Sequence, residues 1–261
     1  MDGWLEARFT QRVHEFVKAM DEYDLRRAVE LSHYEVIKDI NWYTRRGGQN
    51  LDLARRWLPL WAQMVSVSTP HLAEEWWAAL DGTTGLVAGS TMAVPAPLSD
   101  DQETVLAGEQ YVRDVLEQAR KVRVVAERHL GQPASAATFV VAPSWKRTMA
   151  RAALDFIQQG GHPKQFIPVL QDLPFAQGER KGEIMGFWGK KMLPQVFKWD
   201  DASKAVVVSS LDETSVLESA KAFIAQELQL ENVAVVLGES DADESGRAGS
   251  AMPLSPAVVY A

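Results

Sequence analysis

The chain has 261 residues, 46% of them hydrophobic, a net charge of -8 and no cysteine. That length suits one large domain or two ordinary ones with a sizeable core. Lack of cysteine excludes disulfides and thiolate-held zinc or iron–sulfur centres, and the negative total excludes a uniformly basic nucleic-acid binder while leaving room for a local RNA-facing patch.

In chain order, Leu5, Phe9, Val13, Phe16 and Met20 recur at steps of three and four and predict a first helix. Asp24 is the expected N-cap of a second helix with the stripe Leu25, Ala28, Val29, Ser32, Val36, Ile40 and Tyr43, stopped by Gly47-Gly48. A third helix is predicted over about 51–67, with Ala54, Trp57, Leu58, Trp61 and Val65 inward and Pro59 kinking it or shifting its start. Thr69-Pro70 opens a fourth, about 70–80, as N-cap and first helical residue. Residues 82–101, rich in Gly, Pro and small side chains, read as a loop. A long fifth helix follows over about 102–130, with Val105, Val112, Leu116, Ala119, Val122 and Ala126 on one face. Short connections imply an antiparallel bundle.

Beyond Gly131-Gln132-Pro133 the pattern changes. TFVVAP (138–143), NVAVVLGES (232–240) and PAVVYA (256–261) read as strands, and KAVVVSSL (204–211) as a further candidate strand. Helices are predicted over 145–159 and 212–230, with helical pieces over 163–198. The expected fold is multi-domain: an all-α antiparallel bundle over 1–131, then a small mixed α/β domain over 132–261. Residues 145–198 carry nine lysines and arginines against four acids, so the chain is polarised despite its negative total.

Catalytic chemistry is not visible. His71 and Glu75 stand four apart on a helix but have no third ligand at useful spacing, so no metal site is expected. There is no G-x-S-x-G elbow and no cysteine nucleophile, and GKK at 189–191 lacks the glycine spacing and Ser/Thr of a phosphate loop. Asp100-Asp101 and Asp200-Asp201 sit where helix caps are expected. Trp57, Trp61, Trp76 and Trp77 fall at core spacing; Trp188 and Trp199 flank the basic stretch, with stacking on bases and packing both open. The pairs Arg26-Arg27, Arg45-Arg46 and Arg55-Arg56 have two open readings: a solvated face paired with acids such as Glu22 or Glu30, or guanidinium groups presented to phosphates. No apolar run approaches the roughly 18 residues that cross a bilayer, and MDGWLEARFTQ has no signal-peptide core, so a soluble cytoplasmic protein is expected.

Six stretches together resemble the C-terminal region of archaeal/eukaryotic-type leucyl-tRNA synthetases, the class I leucine–tRNA ligases. They are MDGWLEARF (1–9), YDLRRAVELSHYEVIKDINWYTRRGG (23–48), STPHLAEEWW (68–77), EQYVRDVLEQARKV (109–122), TFVVAPSWKR (138–147) and AMPLSPAVVYA (251–261). Their order and spacing agree along almost the whole chain. Thr-Pro-His with its acidic helix is shared by several class I synthetases; the Val-Ala-Pro-x-Trp-Lys junction and the ending favour leucine and the archaeal type. Three features depart from the family: Pro59 interrupts a helix, the 82–101 loop lacks a tryptophan-proline element, and GEIMGFWGKKM (182–192) is richer in glycine and aromatics than the family's lysine-rich helix.

The resemblance implies an anticodon-binding-type bundle and a C-terminal tRNA-binding domain that position tRNA-Leu, including its long variable arm, for ATP-dependent leucylation. The family's adenylation motifs, His-Ile-Gly-His-like and Lys-Met-Ser-Lys-Ser, do not occur here, so the chain alone is expected to be inactive, with ATP and Mg bound only at a catalytic core elsewhere. Arg45, Arg46 and Lys146 match family positions and are expected at tRNA; Arg147, Lys190 and Lys191 join them on local charge. No catalytic residue, metal, membrane or DNA is expected. The chain then reads as a fragment, an incomplete product or the smaller half of a split enzyme. The alternative is a protein–protein module or split subunit that docks a synthetase catalytic chain, with Trp4 and Phe9 on an exposed apolar face.

Overall fold

The computed structural model describes residues 1–80, 82–177, 181–209, 211–238 and 247–261. They divide into two units, Met1–Leu106 and Ala107–Ala261. Helices make up most of both, with one small sheet in the second, so the fold is a helical bundle followed by a small α/β unit.

In the first unit α1 (Asp2–Asp21) buries Leu5, Phe9, Val13 and Phe16 along one face. Trp4 and Phe9 are covered from within the unit and do not form the open apolar face expected of the docking alternative. Trp4 lies in a cluster with Tyr43 and Leu53, and the Phe9 ring is 4.8 Å from that of Trp57. The second helical stretch runs from α2 (Leu25–Val29) through a π-helical turn (Glu30–Glu35) into α3 (Val36–Arg45). Asp24 caps it, accepting from the Arg27 N–H at 3.0 Å. The wider π turn presents the Ser32 carbonyl to the Trp61 indole, which donates to it at 2.7 Å.

The end of α3 is locked. Gly47, at φ 85°, and Gly48 close the last turn onto Thr44 and Tyr43 carbonyls. Gly48 lies so close under the Tyr43 ring that an added Cβ would approach it to 2.2 Å. The Tyr43 hydroxyl donates to Asp2 Oδ1 at 2.6 Å and accepts from the Asn50 N–H at 3.0 Å, and the Asn50 amide donates to Asp2 Oδ2 at 2.7 Å. The Tyr43 bond, then the Asn50 bond, hold the Asp2 carboxyl below its ordinary pKa.

Asn50 also caps α4 (Leu51–Ser66), which continues through Pro59. Its inward face is Leu53, Ala62, Met64 and Val65, with Trp57 and Trp61 partly buried; Ala54, expected inside, is exposed. The face is rotated because Leu53 and Met64 join Trp57 and Trp61 in a stripe that meets α1. Next comes α5 (Pro70–Ala79), opened by Pro70 as expected; the Thr69 hydroxyl donates back to the Val65 carbonyl and does not cap. Glu74 reaches across to the loop and accepts from the Val87 and Ala88 N–H groups at 2.9 and 3.4 Å.

Arg12 is buried among the bundle helices. Its guanidinium donates to Asp39 at 2.8 Å and to Glu15 and Glu35 at 3.1 Å, with Arg8 3.8 Å from the other Asp39 oxygen. Burial works against the Arg12 charge, but the Asp39 bond and the surrounding carboxylates outweigh it and raise its pKa.

The long α6 (Asp100–Leu130) opens on a reciprocal cap: the Gln102 N–H donates to Ser99 Oγ, and the Ser99 N–H to Gln102 Oε1. Val105, expected inside, is exposed, and Leu106, Tyr111, Val112, Val115, Leu116 and Ala119 form the buried stripe. In the second unit β1 (Ala136–Val141) is followed by α7 (Ser144–Gln158), α8 (Ile167–Asp172), α9 (Lys181–Phe187), a π-helical turn (Trp188–Met192) and α10 (Leu193–Lys198). Then come α11 (Asp201–Val208), α12 (Glu213–Glu227), β2 (Asn232–Leu237) and β3 (Ala257–Tyr260). The sheet order is β2-β1-β3: β2 pairs parallel to β1 from Ala136↔Asn232 to Val141↔Leu237, and β3 antiparallel from Ala137↔Tyr260 to Val140↔Ala257. The 204–211 segment, a strand candidate by its valines, is helical over Asp201–Val208. Asp200 caps it, accepting from the Ser203 N–H at 2.8 Å, so the cap overrides the β-branched run. No helix among the described residues is long and apolar enough to cross a membrane.

Two consequences follow for stability. Arg12→Leu leaves Asp39 buried without its main partner and should lower the unfolding free energy by about 3 kcal/mol in a urea titration; a loss under ~1 kcal/mol would show the cluster to be dispensable. Gly48→Ala must push Tyr43 off its place, with an expected cost of about 1–3 kcal/mol by the same measurement.

Candidate nucleic-acid interface

The six basic residues singled out by the sequence take three different places. Arg45 is exposed at the end of α3 with its guanidinium 5.4 Å from the Trp42 ring centroid, and Arg46 is partly buried beside it. Of the other arginine pairs, Arg26 and Arg27 engage Glu30 and Glu15 at 3.1 Å, while Arg55 and Arg56 lie 3.4 and 3.8 Å from Asp52 and Glu6. These are exposed pairs of small energetic weight, which a phosphate can displace.

Arg147 is turned inward. It donates to the carbonyls of Leu211, Val206 and Ser209, the latter two at 3.3 Å, and Arg151 donates to those of Val207, at 3.0 Å, and Ser209. The two guanidiniums thus take up the carbonyls at and just beyond the C-terminus of α11, where helix ends leave acceptors unpaired. Glu213, buried 3.5 Å from Arg147, accepts from the Leu254 N–H at 3.1 Å. Burial pushes the Glu213 carboxyl up against the pull of Arg147, and burial lowers the Arg147 pKa against the pull of Glu213. Arg147 is therefore occupied by its own chain.

Lys146 is likewise buried, 1% exposed, and its Nζ donates to the carbonyls of Ala248 and Ala251 at 2.6 and 2.7 Å. It sits 4.4 Å from the centroid of the Phe187 ring. Burial, then the neighbouring Lys191 charge, bring its pKa down to about 8 against the pull of Glu183. Lys191 donates to the Gly249 carbonyl at 3.0 Å from the exposed side of the same turn. Lys190 is exposed one position away. Lys146, Lys190 and Lys191 converge on one open cavity of about 790 Å³, walled by Trp145, Phe187, Gly182 and Gly186.

Helical spacing explains the convergence. From α9 into the π turn, Glu183, Phe187, Lys190 and Lys191 share one side, while Ile184, Trp188 and Met192 enter the core. Trp188 and Trp199 are both buried, Trp188 with its ring 4.7 Å from Phe166, so packing wins over base stacking for both. The aromatic that faces the lysines is Phe187, which the sequence reading passed over; its place three residues before Lys190 is the signal that marks it.

Residues 2–138 match the family model described as the anticodon-binding domain of tRNA ligase. The chain belongs to this family. Along 99% of its length this anticodon-binding-family chain is also similar to leucine–tRNA ligases of archaea: 29% identical to that of Pyrococcus furiosus, 28% to that of Methanococcus maripaludis strain S2 and 27% to that of Methanocaldococcus jannaschii. It spans about a quarter of the length of these relatives, 25%, 24% and 25% respectively. The resemblance read from the six sequence stretches is thereby shown: the chain corresponds to an anticodon-binding and C-terminal region of a leucyl-tRNA synthetase.

Lys146→Met should destabilise the fold by about 1–3 kcal/mol, since two buried carbonyls lose their donor. The same residue carries a pH signature. With its folded pKa near 8 and its ordinary value 10.5, the unfolded chain binds the extra proton between those limits, so stability rises with pH across that window. Denaturation midpoints of wild type and Lys146→Met from pH 7 to 10.5 check this; parallel curves would contradict it.

Proposed function

We propose that this chain grips tRNA-Leu, including its long variable arm, and positions the acceptor end for leucylation by a synthetase catalytic region that binds ATP and magnesium. It works in the cytoplasm, and its contribution is electrostatic and geometric: cations neutralise phosphates and fix the register of the RNA. The observation that carries the reading is the grouping of Lys190 and Lys191 at one open cavity beside an aromatic ring, on a chain similar throughout to leucine–tRNA ligases.

Arg45 and Arg46 on the bundle, and Lys190 and Lys191 on the second unit, are the phosphate-facing cations. Lys146 and Arg147 serve the interface from behind, by holding the 248–251 turn and the carbonyls of Val206, Ser209 and Leu211.

Binding of tRNA with a long and with a short variable arm, titrated over a range of salt, tests this. The long-armed tRNA should bind more tightly. Lys190→Ala should weaken it and reduce the slope of log K against log salt by about one. Equal affinities for the two tRNAs with a shallow slope would overturn the reading.

A further inference from the structure

The cavity over α9 has a chemical character that phosphate neutralisation alone does not require. Gly182 and Gly186 lie on the helix side that walls it. Glycine is a poor choice inside a helix because it adds backbone freedom to the unfolded chain without a side chain to pack. Neither residue has a positive φ, and a Cβ on either would meet nothing within 4 Å. Backbone geometry and internal packing are therefore both indifferent to the choice. What the two glycines provide is a bare strip of helix backbone one turn apart, open to the cavity, on which a flat group can lie in contact. The Phe187 ring adjoins the strip, and the next turn carries Lys190 and Lys191.

We propose that the cavity is a site for one nucleoside phosphate unit. Its base lies flat on Gly182–Gly186 beside Phe187, and its phosphate meets Lys190 and Lys191. The planar part supplies contact area that is indifferent to base identity, as in single-strand stacking platforms. The lysines supply the anion partner, and Lys146 fixes the opposite wall through Ala248 and Ala251. Two sources offer this chemistry, a free mononucleotide or an unpaired nucleotide within RNA. For the second source the inference rests on the tRNA reading above; for the first it stands by itself.

The test uses the full chain, wild type and Gly186→Leu. The substitution fills the strip, leaves the charge unchanged and improves helix propensity, so an unchanged or raised Tm is the folding control. Each protein is titrated calorimetrically with the four nucleoside monophosphates, inorganic phosphate and long-armed tRNA. The expected result is a loss of at least tenfold in affinity for Gly186→Leu toward monophosphates, tRNA or both, with inorganic phosphate bound at least tenfold more weakly than the monophosphates wherever these bind. Loss toward monophosphates identifies a free nucleotide as an occupant; loss toward tRNA alone identifies an RNA-borne one. If wild type binds tRNA as tightly as Gly186→Leu does and neither binds monophosphates, the tRNA reading stands and the nucleotide site is overturned. If wild type binds neither tRNA nor monophosphates, both fail. Equal affinity for phosphate and monophosphates would also overturn the site, reducing it to a cation cluster.

Discussion

Backbone carbonyls inside a protein must find donors, and in the second unit two segments outside any sheet ladder are supplied by one helix. The residues at and after the end of α11, and the turn that precedes β3, both accept from cations on α7: Arg147 and Arg151 for the first, Lys146 for the second. The remaining walls follow from this. With 248–251 drawn to Lys146 and Gly249 to Lys191, the cavity acquires its far side; with Val206, Val207 and Ser209 held, α11 is a helix despite its valines. Charges placed in this way are costly to bury, and the lowered Lys146 pKa is the mark of that cost.

The bundle also buries a cation, but satisfies it with carboxylates in place of carbonyls. There the buried group is Arg12, and three carboxylates from α1, the π turn and α3 converge on it. Hydrophobic stripes bring helices together without specifying their register closely, whereas a guanidinium with acceptors at 2.8 and 3.1 Å admits one arrangement. The Trp61–Ser32 bond does the same from the other side of the π turn. Arg45 and Arg46 stand at the end of α3 beside the Tyr43–Gly48 lock, Arg45 exposed and Arg46 partly buried.

Much of this was legible in the sequence, and the misses have particular causes. Helix ends with Asp24, Gly47-Gly48 and Pro70 were readable because local chemistry alone decides them. The three strands with ladder partners were also readable. The 204–211 segment was misread because β-branched residues argue locally for a strand, while the deciding acceptors and donors, Asp200 and the two arginines of α7, act through a cap and through contacts some sixty residues away. Positive charge was read correctly as local, but charge does not disclose direction. Lys146 and Lys190 look alike in a composition count; one lies in the first turn of α7 with its Nζ under 248–251, and the other stands on the exposed side of the π turn. The family resemblance identified the protein's kind while leaving that distinction open.

The central strand of the sheet is the first of the three to be synthesised and the last to be completed. β1 obtains its parallel neighbour only when β2 is reached, and its antiparallel neighbour only with Ala257–Tyr260. The Tyr260 hydroxyl then donates to the Ala119 carbonyl on α6 at 2.8 Å, and the Ala136 N–H donates to the Ala261 carbonyl at 3.0 Å. Pairings so distant in sequence are slow to form. On the ribosome the bundle helices can settle as they emerge, whereas β1 waits with one edge bare until β2 is made and with the other bare until Ala257–Tyr260 follows. The order of synthesis therefore makes β3 the closing step of the sheet, although the strand it completes is the first of the three to be made.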